Sequence, residues 1–273
     1  MEMRLTWQGR EVVVASSEPG TELFLRRYLW CPVSSAGAEA TPDVRVAREG
    51  TGYRVSYPDG ALRVRSAAAA KLALLESIAY VLATGHHETI LHAGAYVGPK
   101  GAVVILGAPR AGKSYLAYGA WRAGRVVLGD DRVVWSDAAV QAFPKCLKLR
   151  IESRSGFAAI AQGIESRSRF AASLAGDRRL VLARALAGFA PYGERVPVRA
   201  LVVVERGAGA RSRLGHIAAP AALARLMGVA GPGLASPMDF VRVLKRHAGG
   251  GQLPLLTVGS GDAPRALDLL DRL

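Results

Sequence analysis

The residues best suited to chemistry form an eight-residue segment in the middle of the chain. Residues 107–114 read Gly-Ala-Pro-Arg-Ala-Gly-Lys-Ser and match the pattern G-x-x-x-x-G-K-[ST] without a mismatch. In such a loop, glycines let backbone N–H groups close around phosphate oxygens at a helix N-terminus, where the helix dipole favours anions. The lysine adds a positive charge near the β- and γ-phosphates, and the serine hydroxyl can ligate Mg²⁺. The pattern predicts a phosphate-binding loop whose residues are Gly107, Arg110, Ala111, Gly112, Lys113, Ser114 and Tyr115.

The sequence on either side of this segment predicts the elements that the pattern requires. The apolar run 102–106 leads directly into Gly107, and a helix-like stretch from Tyr115 to Ala123 stops at Gly124. A strand, a glycine loop and a helix in this order are the setting in which the pattern binds phosphate. A chance glycine-rich turn is the alternative, and the flanking elements count against it.

Two adjacent carboxylates follow the predicted helix. Residues 125–128 predict a short strand that leads to Asp130 and Asp131, and a second apolar run follows. The spacing from Lys113 is just enough for one helix, a turn and a strand. One carboxylate beside a bound triphosphate could hold Mg²⁺, and the other could accept a proton from an incoming hydroxyl. A solvated turn is the alternative, since Asp pairs are common turn residues.

Composition limits the size of the protein and its partners. The chain has 273 residues, of which 50% are apolar, and this suffices for one large domain or two modest ones. The net charge of +14 favours anionic partners. The excess is largely Arg in a chain rich in Ala and Gly, and no zinc-finger spacing or RNA-binding aromatic signature accompanies it. We therefore expect no nucleic-acid partner.

The cysteine spacing, the N-terminal residues and the length of the apolar segments predict a soluble cytoplasmic protein. Cys31 and Cys146 show neither a C-x-x-C spacing nor a disulfide framework, so we expect buried thiols. The first residues lack the uninterrupted apolar stretch of a signal peptide. No segment approaches the roughly 18 apolar residues that a membrane span needs. We therefore expect no membrane contact.

The hydrophobic pattern predicts two portions, a small α+β portion over residues 1–88 and an α/β domain over 89–273. The first contains a strong helix from Ser66 to Ala83, which Ser66 can cap. The second begins with one strand from Thr89 to Val97. Other predicted strands cover 11–15, 44–47, 53–57, 61–64, 198–205 and 253–258, and other predicted helices cover 20–29, 220–229, 238–247 and 264–273.

A basic, serine-rich segment covers residues 145–169. It is rich in Arg and poor in apolar periodicity, so we expect a mobile loop over the active site. Guanidinium groups suit phosphates and carboxylates, and we expect Lys148, Arg150 or Arg154 to contact the nucleotide or the acceptor. A solvated surface loop is the alternative.

The order of these motifs resembles a known family. His92-Ala93-Gly94 in a strand, the loop 107–114 and then Gly129-Asp130-Asp131 are similar to the kinase domain of HPr kinase/phosphorylase and its related kinases. That group is distantly similar to ATP-dependent phosphoenolpyruvate carboxykinase. The resemblance covers about residues 92–131 with specific motifs, and 143–150 more weakly. It implies a P-loop domain of this α/β class after the small N-terminal portion.

The resemblance also implies an activity and residue roles. The family phosphorylates a hydroxyl with ATP and Mg²⁺, usually a Ser in a protein or peptide. By analogy, Asp130 is the general base, and Asp131 and Ser114 lie near the metal. His92 is expected to hydrogen-bond the catalytic carboxylate of Asp130. Related enzymes assemble as hexamers, so the resemblance is compatible with a homo-oligomer.

One family feature is missing from the sequence. The bifunctional enzymes carry a Glu-Ile-Arg-Gly-type motif, and Val204–Gly207 has only a passing likeness to it in a different strand context. The missing motif counts against phosphorylase activity and against HPr as the substrate, and it favours a relative that modifies a peptide, like those near lasso-peptide biosynthesis genes, or a small molecule. Three alternatives stay open: a small-metabolite kinase, which usually starts with the loop, a nucleotide-binding regulatory module, and an ATPase that drives a partner's shape change.

Overall fold

The computed structural model describes residues 1–29, 31–37, 40–84, 86–150, 164, 169–174, 177–182, 190, 193–227 and 234–273. They belong to two compact units. Met1–Gly85 and Pro144–Ala187 form the first unit, and His86–Phe143 and Gly188–Leu273 form the second. The division at 88/89 stays a prediction. The structure adds that 144–187 groups with the first unit, which the sequence pattern did not indicate.

The first unit contains a six-stranded sheet in the order β3-β1-β2-β4-β5-β6. Its strands are β1 (Glu2–Trp7), β2 (Arg10–Ser16), β3 (Val33–Ser35), β4 (Val44–Glu49), β5 (Gly52–Tyr57) and β6 (Gly60–Val64), and its helices are α1 (Thr21–Tyr28) and α2 (Ala67–Ala83). The alternation in β1 buries Met3, Leu5 and Trp7 on one face. The Ser66 side chain accepts the Ala69 N–H, which confirms the predicted cap of α2.

A second, three-stranded sheet in this unit has the order β13-β15-β14 and explains why α2 is apolar on most sides. Its strands are β13 (Lys148–Arg150), β14 (Arg169–Leu174) and β15 (Asp177–Leu182). Helix α2 contacts β2, β4 and β5 of the larger sheet and also β14. A helix covered by sheets on more than one side can be apolar around most of its circumference.

The predicted mobile segment begins with packed structure. Lys145 is buried, and its Nζ lies 3.0 Å from Glu76 Oε2, while Lys148 Nζ lies 2.5 Å from Glu76 Oε1. Cys146 and Leu147 are buried beside them. The basic composition of this segment suggested exposure to solvent. Lysine stems can nevertheless be buried when a carboxylate pairs with the ammonium groups. Our prediction of a loop was therefore wrong for 145–150, whereas 151–163 and 165–168, with Arg154, lie outside the described residues.

The second unit is built on a nine-stranded sheet. Its strands are β7 (Thr89–Leu91), β8 (Gly94–Gly98), β9 (Gly101–Leu106), β10 (Val127–Gly129), β11 (Val133–Ser136), β12 (Ala139–Ala142), β16 (Arg195–Arg206), β17 (Arg213–Ala218) and β18 (Gln252–Val258), and its helices are α3 (Lys113–Arg122), α4 (Ala219–Leu226), α5 (Pro237–His247) and α6 (Ala263–Asp271). Seven strands follow the order β10-β8-β9-β16-β12-β11-β7, and β18 pairs with both β16 and β17.

The centre of this sheet is parallel and buried. Strand β16 runs parallel to β9 on one side and to β18 on the other. Five successive residues of β9, from Ala102 to Leu106, are buried, as expected for a strand covered on both faces. The mixture of helices and strands confirms the predicted α/β class at this level.

None of the described helices is long and apolar enough to cross a membrane.

Candidate functional site

The glycine loop connects a buried strand to a helix. Strand β9 ends at Leu106 and helix α3 begins at Lys113, which confirms the predicted strand and helix. Gly112 caps α3 with φ 110°, and Arg110 has φ 69°. Positive φ is costly for most side chains and easy for glycine, so the second glycine of the pattern has a backbone reason to be there.

Gly107 allows a close approach between the loop and the neighbouring strand. A Cβ atom at this position would lie 2.7 Å from the backbone oxygen of Val204 and 2.9 Å from its Cγ2. Val204 belongs to β16, the parallel neighbour of β9. Any side chain at 107 would therefore push the start of the loop away from the sheet.

Lys113 is buried under this loop. Its Nζ donates to the backbone oxygens of Gly107 at 2.7 Å and Ala108 at 3.2 Å. Burial lowers the pKa of Lys113 to about 8, while the carboxylates of Asp131 and Asp130 act in the opposite direction. Both carboxylates therefore favour the charged form of the ammonium.

The pairing of two broken strands brings His92 to Asp131. Ala95 in β8 lies opposite Gly129 in β10, and Leu91 in β7 lies opposite Val133 in β11. Three residues lie between these pairs on each side. Segments 92–94 and 130–132 therefore face each other. His92 Nδ1 lies 3.1 Å from Asp131 Oδ1.

This pairing differs from the expected one in two respects. We expected His92 to hydrogen-bond Asp130, and the described contact is with Asp131. We also expected a single strand over 89–97. The strand is instead interrupted at His92-Ala93, where the Ala93 N–H donates to Leu91 O. The break is a tertiary effect, since β7 joins β11 and β8 joins β9 and β10.

The two carboxylates differ in exposure. Asp130 is 3% exposed, and its backbone oxygen accepts a hydrogen bond from Ser114 Oγ at 3.5 Å. The Asp131 side chain is 18% exposed, and that of His92 is 22% exposed. The second unit therefore brings Lys113, Ser114, Asp130, Asp131 and His92 into one neighbourhood.

Three other predicted loop residues have less specific surroundings. Arg110 is exposed and Ala111 is buried. The Tyr115 hydroxyl accepts the Ala263 N–H at 3.2 Å, so this side chain contacts the start of α6. Cofactor binding by these residues stays a prediction.

Sequence reasoning overlooked Arg132, which directly follows the two carboxylates. Its guanidinium carbon lies 5.7 Å from the centroid of the Phe143 ring. The only signal in the sequence is a cation beside an acidic pair, and such an arrangement is common in solvated turns.

The donor set fits the chemistry of Mg²⁺. Within the described residues, no group of three or more His, Cys, Asp or Glu side chains could hold a metal ion. Mg²⁺ often uses one or two carboxylates together with substrate phosphates and water, so such a group is not required. The hydroxyl of Ser114 and the carboxylates of Asp130 and Asp131 are oxygen ligands of the right kind.

Comparisons with known proteins add little to this geometry. No protein-family model matches the sequence, and no curated protein matches it. Among solved structures, the chain is similar to the HPr(Ser) kinase/phosphatase from Coxiella burnetii, with 12% identity and a TM-score of 0.30. The match covers 68% of this chain and 95% of that chain.

If the loop binds the phosphates of a nucleotide, as its pattern predicts, the lowered pKa of Lys113 makes that binding depend on pH. A phosphate beside the ammonium raises its pKa, so binding takes up a proton wherever the free lysine is partly neutral. The contribution of Lys113 to ATP affinity should therefore be constant well below pH 8 and fall, by up to about tenfold per pH unit, as pH rises through about 8. Calorimetry in two buffers of different ionisation enthalpy measures the proton uptake. Lys113→Arg keeps a charge that does not titrate and should lack the slope; an equal slope in both proteins would contradict the assignment.

Proposed function

We propose that the protein is an ATP-dependent kinase that transfers the γ-phosphoryl group to a hydroxyl. The observation that carries this proposal is the grouping of Lys113 and Ser114 with Asp130 and Asp131 in one compact unit. A phosphate-binding cation beside two carboxylates supplies both parts of phosphoryl transfer, namely charge stabilisation and proton acceptance. A simple anion-binding site would gain nothing from two carboxylates next to its lysine.

The loop is the proposed site for the triphosphate. Lys113 donates to loop carbonyls in the free protein, and phosphate oxygens would replace these acceptors on binding. The N–H groups at the start of α3 and the helix dipole favour the same anion. When bound, Mg²⁺ would neutralise charge on the phosphates.

The two aspartates are proposed to have different roles. Asp130 is almost completely buried, so a hydroxyl bound beside it would meet little competing water. It is the proposed base, which takes the proton of the hydroxyl as the oxygen attacks phosphorus. The Asp131 carboxylate contacts His92. We propose that Asp131 is the metal-side carboxylate, the one that supports the Mg²⁺ ion. His92 is then a positioning residue for Asp131, because it acts through that carboxylate.

The proposed acceptor is a serine side chain of a peptide or protein, with a small-molecule alcohol as the alternative. Two observations support it. The motifs around 92–131 resemble serine kinases, and the net charge of +14 suits an acceptor that carries negative charge.

Transfer of labelled phosphate tests this function. The protein is incubated with γ-labelled ATP and Mg²⁺, with and without serine peptides and small alcohols, and free phosphate and labelled acceptor are measured separately. A kinase should label an acceptor and release phosphate slowly in its absence. Fast phosphate release without any acceptor would indicate an ATPase instead, and absence of ATP binding would refute both activities.

A further inference from the structure

Arg132 has buried hydrogen-bond donors that no described residue uses. Its Nε and Nη1 atoms are both buried, and neither has a hydrogen-bond partner in the part of the chain that the structure describes. A buried donor without an acceptor costs free energy, and the cost is higher when the group is charged. An arginine with two such donors is therefore a candidate for binding an anion.

The Arg132 side chain contacts the aromatic ring of Phe143. Val133 pairs with Ala142 across β11 and β12, so Arg132 and Phe143 are the next cross-strand neighbours. The guanidinium lies over the ring at 5.7 Å, and Phe143 itself is 1% exposed. An aromatic ring attracts a cation but is not a conventional hydrogen-bond acceptor, so Nε and Nη1 still lack an N or O acceptor among the described residues.

Arg132 and the glycine loop belong to different strands on either side of the two carboxylates. Lys113 follows β9, which pairs with β8 and β16, whereas Arg132 leads into β11, which pairs with β7 and β12. Along the chain, Asp130 and Asp131 precede Arg132, and both carboxylates act on Lys113. The loop already provides a cation for the phosphates of the nucleotide, so a second cation beyond the carboxylates suits the other substrate.

We propose that Arg132 binds an anionic group, a carboxylate or phosphate, on the acceptor whose hydroxyl is phosphorylated. This inference rests on the proposed kinase function and specifies its substrate class. Guanidinium binds both groups through paired N–H donors. The acceptor would then carry its negative charge close to the reacting hydroxyl, because Arg132 is only one residue from Asp131 and two from Asp130.

Inorganic phosphate is a suitable probe of this site. Nitrogen–proton NMR spectra detect the Nε–H groups of arginine, and the Arg132 signal is the one missing from Arg132→Met. Titration with phosphate should shift this signal until it saturates. The shift should persist when AMP-PNP and Mg²⁺ have first been added to fill the loop. An Arg132 signal that does not move would overturn the proposal and leave the arginine with a packing role only.

Matched variants measure the contribution of the side chain. Arg132→Met should lower phosphate affinity about tenfold or more, as expected for hydrogen bonds to a charged group. Arg132→Lys keeps the charge without the planar donors and should give an intermediate value. Arg213→Met, an exposed arginine in β17 of the same unit, is the control and should leave affinity unchanged. Circular dichroism checks that each variant is folded; should Arg132→Met fail to fold, the wild-type titration and Arg132→Lys still decide.

The nucleotide experiments separate failure of this inference from failure of the kinase proposal. If AMP-PNP displaces phosphate from Arg132, the arginine belongs to the nucleotide side and the acceptor assignment is wrong, although the kinase proposal stands. If AMP-PNP does not bind at all, the kinase proposal fails and the acceptor assignment falls with it. The shift of the Arg132 signal would then report an anion site of another kind.

Discussion

Lys113→Ala is expected to abolish phosphoryl transfer and to weaken Mg-ATP binding by about ten- to a hundred-fold. The range follows from the usual worth of a hydrogen bond to a charged group, about 1.5–3 kcal/mol. Transfer should suffer more than binding, because a cation at the phosphates also stabilises the negative charge that is redistributed in the transition state. Nucleotide titration calorimetry and the labelled-phosphate assay measure the two effects.

The fold should survive this change. Lys113 is a buried cation whose pKa is lowered by burial, so replacing it with alanine relieves a desolvation cost. The same change removes the hydrogen bonds from Lys113 to Gly107 and Ala108. Lys100→Ala is the matched control, since Lys100 is exposed in the turn between β8 and β9. Unchanged ATP affinity in a folded Lys113→Ala protein would show that the loop does not bind the triphosphate.

Asp130→Asn is expected to lower turnover by about 10²–10⁴-fold while ATP binding is largely kept. This is the usual contribution of a positioned general base. Asp131→Asn should instead raise the Mg²⁺ concentration needed for half-maximal activity. Steady-state assays at several Mg²⁺ concentrations, together with ATP titrations, distinguish the two results. If the two variants exchange behaviours, the proposed roles of the carboxylates must be exchanged as well.

The contact between His92 and Asp131 allows a second test of the role proposed for Asp131. If His92 positions the metal-side carboxylate, His92→Ala should raise the Mg²⁺ requirement as Asp131→Asn does, and the double variant should be little worse than either single one. Asp137→Asn is the control, because this carboxylate is 91% exposed in the turn between β11 and β12. Additive effects of His92 and Asp131 would contradict a positioning role.

Several parts of the fold could be predicted because their causes are local. The cap at Ser66, the buried run that forms β9 and the change to helical structure after Gly112 depend on residues close in sequence. The basic segment was misjudged for the opposite reason. Lys145 and Lys148 look solvent-exposed until Glu76, far away in sequence, is placed beside them.

The sequence by itself determined the phosphate-loop pattern, the carboxylate pair that follows it and the mixed α/β class. These features depend on backbone freedom at glycine, on apolar runs and on spacing along one stretch of chain. Only the tertiary structure decided that His92 contacts Asp131, that Gly107 lies against Val204, and that Arg132 rests on Phe143 with unused donors. Each of these contacts depends on which strands pair and in what register. Pairing between distant segments is selected by the packing of the whole sheet, so no local pattern encodes it.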